Sequence, residues 1–89
     1  MALTKKKWRR LKKRYARSPH VHVLDTIRVD AAKGALARLR GRIQDAMFWE
    51  GHVDSFTKEA EKLGKADAAY SAEEAGRRIA QRLYDKERK

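Results

Sequence analysis

From Val29 onward the apolar residues Ala32, Leu36, Leu39, Ile43 and Ala46 or Met47 recur at intervals of three and four. That spacing lines one side of an α-helix and no side of a strand, so it predicts an amphipathic helix from about Asp30 to about Glu50. A second stripe, Val53, Phe56, Ala60 and Leu63, continues the pattern beyond Gly51; the favoured reading breaks the helix there, with Asp54 or Ser55 as the cap of a new one, and the alternative is a continuous helix through Gly51, because the stripe drifts smoothly across it. Gly34 and Gly41 weaken the first helix by about 1 kcal/mol each relative to alanine, and Gly64 is the expected stop of the second. The last helix has the strongest start signal, Ser71 followed three residues on by Glu74 in the manner of a capping box, with Ala75, Ile79 and Leu83 as its buried line.

The N-terminal third is different. "KKKWRRLKKRYAR", Lys5 to Arg17, holds nine cations and no acid, with Trp8, Leu11 and Tyr15 three and four residues apart. A helix from Thr4 to Arg17 would place those three in one stripe, although nine like charges oppose it until an anionic surface or the protein's own body neutralises them. Ser18-Pro19 ends this arm, since the residue before proline avoids the α region. In "HVHVLDTIRVD", Val21, Val23, Ile27 and Val29 share one parity, which predicts one short strand or an extended linker over 20–29.

The expected fold is therefore all-α: a small helical hairpin or three-helix domain over 30–89, preceded by a basic helical arm over 1–19 and one short extended segment near 21–29. An 89-residue chain makes one small domain. Its large core candidates are few: Leu36, Leu39, Ile43, Met47, Phe48, Trp49, Val53, Phe56, Leu63, Ile79, Leu83 and Tyr84. Such a core invites completion by a partner or by a second copy as a homodimer. There is no cysteine to staple it. No run approaches the roughly 20 apolar residues that cross a bilayer, and the first residues are too charged for a secretory signal, so the expected location is cytoplasmic.

Charge is the main guide to function. Residues 1–24 carry nine basic groups and no acidic one, whereas the remainder carries 14 basic against 12 acidic groups. The net charge of +11 is thus concentrated in the arm, which marks an anionic partner. Lys5, Lys6, Lys7, Arg9, Arg10, Lys12, Lys13, Arg14 and Arg17 are the expected phosphate contacts, with Trp8 and Tyr15 as stacking anchors. The expected partner is nucleic acid, DNA or RNA, or a nucleoprotein complex. An acidic protein surface is the competing partner, with Met47, Phe48 and Trp49 as its contact patch, as in an adaptor or inhibitor of a nucleic-acid-processing protein. A membrane surface is the weaker reading, because the apolar stripe of the arm is narrow.

His20 and His22 would share one side of a strand as a pair of metal ligands could, but nothing fixes a third ligand from His52 or Asp25, and neither a phosphate loop nor a catalytic spacing is present, so no cofactor, metal or enzymatic activity is expected. Arg38 with Arg42, and Arg77 and Arg78 with Arg82, are expected to pair with acids nearby such as Asp45, Glu74 and Asp85. The turn from "DTIRVD", Asp25 to Asp30, into a helix resembles the start of ribbon-helix-helix DNA-binding proteins over Asp25 to about Ile43. That resemblance implies an intertwined dimer whose paired strands enter the major groove.

Overall fold

A computed structural model describes residues 19–88, with side chains from Val21 onward. They form three helices: α1 over Pro19–Leu39, α2 over Ile43–Lys62 and α3 over Ala66–Glu87. No strand occurs among the described residues. The basic arm, with its expected helix over Thr4 to Arg17, lies outside them.

The all-helical expectation holds, but the elements are drawn differently. Residues 20–29 are neither linker nor strand; they are the first half of α1. Proline is tolerated as the first helical residue, because its missing N–H has no partner there in any case. The alternating valines mislead because Val23 and Ile27 also begin a four-residue series that Ala31 continues, and all three are buried. Thr26 donates its hydroxyl to the His22 carbonyl at 2.9 Å, which satisfies that polar side chain within the helix. With Asp25 to Asp30 helical, the segment that carried the ribbon-helix-helix resemblance has no strand to pair.

The chain turns at Gly41 and not at Gly51. Arg42 N–H donates to the Ala37 carbonyl and Gly41 N–H to that of Arg38, at 2.8 and 3.1 Å. The second turn repeats the arrangement, with Lys65 N–H to Ala60 and Gly64 N–H to Glu61 at 2.8 and 3.0 Å. Both are Schellman motifs, which need a left-handed residue just past the helix, and the two glycines supply it at φ 79° and 71°. Because each turn leads straight into the next helix, neither α2 nor α3 has a side-chain cap. The expected caps Asp54, Ser55 and Ser71 all lie within helices.

α1 is the central element. α2 returns antiparallel along it, α3 runs in its own direction on another side, and α2 and α3 touch each other far less than either touches α1. The tightest contact is at Gly76 of α3. A Cβ there would overlap the Arg28 carbonyl oxygen and stand 2.9 Å from both the Ala31 Cβ and the Ala32 nitrogen. Gly34 of α1 faces α2 similarly but less tightly, its absent Cβ lying 3.2 Å from that of Trp49.

Helices this close leave room only for small side chains. Among the described residues, six of the nine buried hydrophobic ones are alanines: Ala31, Ala37, Ala46, Ala60, Ala69 and Ala80. The largest fully buried side chain is Ile27. Of the twelve large residues expected in the core only Val53 is buried, whereas Leu39, Ile43, Met47, Phe48, Leu63 and Leu83 are exposed and Leu36, Trp49, Phe56, Ile79 and Tyr84 are half-buried.

Two helical glycines should therefore respond oppositely to alanine. Gly76→Ala forces α1 and α3 apart and should lower unfolding free energy by about 1–3 kcal/mol, the usual cost of overpacking. Gly51→Ala meets nothing within 4 Å and should raise stability by about 1 kcal/mol through helix propensity. Urea unfolding followed by circular dichroism measures both; equal effects at the two sites would contradict the close crossing.

Candidate functional site

The expected protein-contact run Met47-Phe48-Trp49 lies near the start of α2, where successive residues point about 100° apart and cannot share one face. Trp49 turns toward α1 and is half-buried, with the Lys33 ammonium 4.5 Å above its ring. Met47 and Phe48 point outward, 62% and 57% exposed. The Phe48 ring is held from two sides. Trp49 meets it edge-on with centroids 5.1 Å apart at 79°, and His52 lies tilted at 4.6 Å. Trp49 and His52 are 5.7 Å apart, so the three rings form one cluster at the surface. The sequence run identified Met47, Phe48 and Trp49, but His52 and Lys33 join only through helix geometry and the α1–α2 packing.

His52 also stands near Asp30, the one buried charged residue among the described residues, with Nδ1 3.7 Å from the Asp30 Oδ2. That distance is too long for a hydrogen bond, so the pair attracts mainly when the imidazole is protonated. His22 lies on α1, and among the described residues no three His, Cys, Asp or Glu side chains gather as a metal site would require.

Away from the ring cluster, α2 and α3 meet at their shared turn and diverge toward the other end of the bundle. The gap is a cleft of about 590 Å³ floored by Gly34 of α1. Four of its charged lining residues pair with one another: Arg38 grips Glu50 through two hydrogen bonds of 2.8 and 2.9 Å, and Arg77 pairs with Glu73. A further bidentate pair, Arg40 with Glu87, ties the end of α1 to the end of α3. Arg28 with Asp25 and Arg78 with Glu74 are shorter-range pairs along single helices. Of the partners expected from sequence, Glu74 is used by Arg78, whereas among the described residues no arginine pairs with Asp45 or Asp85; Asp85 accepts from Gln81. Arg42 and Arg82 take no acidic partner among the described residues.

Comparison with protein-family models, with curated proteins and with solved structures found no match to this chain.

The Arg38–Glu50 pair gives the fold a pH dependence of known sign. The hydrogen bonds from Arg38, helped by the charges of Arg38 and Arg77, outweigh desolvation and hold the Glu50 carboxyl below its ordinary value of 4.5. A carboxyl lowered in the folded state stabilises fully above its unfolded pKa, and that contribution is lost as pH falls through the folded pKa. Both side chains are about half exposed, so the effect is small. Glu50→Gln should melt below the parent at pH 7, and the difference should close as the pH falls below 4.5; thermal melts across that series check it.

Proposed function

We propose that this protein is a non-enzymatic binder of nucleic acid or of a nucleoprotein assembly, using the cationic arm Lys5 to Arg17 against phosphates, with the three-helix body as its scaffold. The observation that carries this reading is the separation of charge along the chain. The arm's nine cations have no acid among the first 24 residues, whereas the body nearly balances its charge, 14 basic against 12 acidic groups. In the body, arginines that bridge helices are spent on glutamates, Arg38 on Glu50 and Arg40 on Glu87, and Arg77 is spent on Glu73 of its own helix. An arginine already held by a carboxylate offers little to a phosphate, since leaving its partner costs what the new contact gains.

The arm is built for the opposite task. Its arginines can take phosphate oxygens two at a time and its lysines act as point charges. Trp8 and Tyr15, seven residues apart, would lie on one side if the arm becomes helical on its target. No helix among the described residues is long and apolar enough to cross a membrane.

Removal of residues 1–17 is the direct test. Binding of a 20-nucleotide DNA duplex by fluorescence anisotropy at 100 mM salt should be lost, while the helical circular dichroism of the body persists. Salt-sensitive binding that survives the deletion would move the interface from the arm to the helices.

A further inference from the structure

The outward side of α2 is unusual for this chain. Residues Gln44, Met47, Phe48, Gly51, His52 and Ser55 follow three-four spacing on its solvent side, all are exposed, and none carries a fixed charge. In a protein with 39% charged residues, a solvent-facing stripe without one is not what solubility alone would place there. Gly51 adds a second anomaly. It sits inside α2 with nothing within 4 Å of where its Cβ would be, so packing makes no demand for a residue that weakens the helix. What it leaves is bare backbone one turn from Phe48 and next to His52.

From these observations we infer that Phe48 is a stacking platform for an unpaired base of the nucleic acid that the arm holds, with His52 beside it and Gly51 leaving room for the base to approach. This rests on the proposed function. Phe48 presents its ring to solvent while Trp49 and His52 fix its orientation, which lowers the entropy lost on stacking. Lys33, 4.5 Å over Trp49, puts a cation at the edge of the cluster where a phosphate would follow.

Size and charge favour this occupant over a protein. The stripe covers twelve residues, about 18 Å of a cylinder about 10 Å wide, or roughly 180 Å² of face. A stable protein interface takes about 800 Å² from each partner. A single base needs far less. A second copy of the chain would bring another +11 to the contact, whereas a nucleic-acid strand brings compensating negative charge. A duplex cannot use the platform, because its bases are already stacked on both sides.

The full chain, Phe48→Ala, Phe48→Tyr and Gly51→Gln should be compared on an unstructured 20-nucleotide DNA strand and on the same strand as duplex, by fluorescence anisotropy at fixed salt. Phe48→Ala should weaken single-strand binding by about 5- to 150-fold, the range for loss of one stacked base. Duplex affinity should stay within about twofold, and Phe48→Tyr should bind like the parent. Gly51→Gln, which keeps the fold and obstructs the face, should show the same single-strand defect as Phe48→Ala. Unchanged single-strand affinity in both Phe48→Ala and Gly51→Gln, with the parent binding normally, overturns the platform and leaves the arm's role intact. Failure of the parent to bind either form removes the function and the platform together.

Discussion

The backbone contact between α1 and α3 at Gly76 governs the rest of the molecule. A helix that approaches another until only a hydrogen fits between backbone and carbonyl oxygen leaves no space for leucine or phenylalanine along the seam. Alanines fill it instead, and dispersion between close backbones replaces part of the apolar area that large side chains would bury. The large residues are displaced to the margins. Met47 and Phe48, on the side of α2 turned away from α1, are exposed in the same way.

The same geometry arranges the charge. Close seams have little depth, so long side chains reach across their edges, and Arg38 to Glu50 and Arg40 to Glu87 link α1 to its two neighbours there. Each of these pairs is exposed, and each contributes modestly to stability. Arg38 and Arg40 are thereby engaged with glutamates of the neighbouring helices. The absence of any acid from the first 24 residues is what leads the proposed function to assign phosphate binding to the arm.

Much of this was legible in the sequence, and the glycines show why the rest was not. Periodicity identified the helical body over the described residues, Gly64 as a stop and a final helix through Ile79. Yet the five glycines serve three different purposes: Gly41 and Gly64 take left-handed turns, Gly34 and Gly76 allow close crossings, and Gly51 has no packing role. Sequence offers the same letter for all three, so the break was placed at Gly51 and the crossing at Gly76 went unseen. A core of alanines is similarly silent, because alanine favours helix wherever it lies and does not announce which side is buried. The valines at 21, 23 and 29 with Ile27 fit a strand and a helix equally over so short a window, and packing of α1 between two helices decides between them. The run Met47-Phe48-Trp49 reads from sequence as one contact patch, but the structure divides it, with Trp49 half-buried against α1 and Met47 and Phe48 exposed.

The central claim is that the excess charge of the arm is unsatisfied within the protein and is neutralised by phosphates. Association constants of the intact chain for a 20-base-pair DNA duplex, measured from 50 to 300 mM monovalent salt, test it most directly. Each phosphate neutralised contributes about 0.9 to the log–log slope, so five to nine contacts from the arm predict a slope between about −4.5 and −8. A slope near zero would contradict the account, since it would mean that the cations of Lys5 to Arg17 take no part in binding.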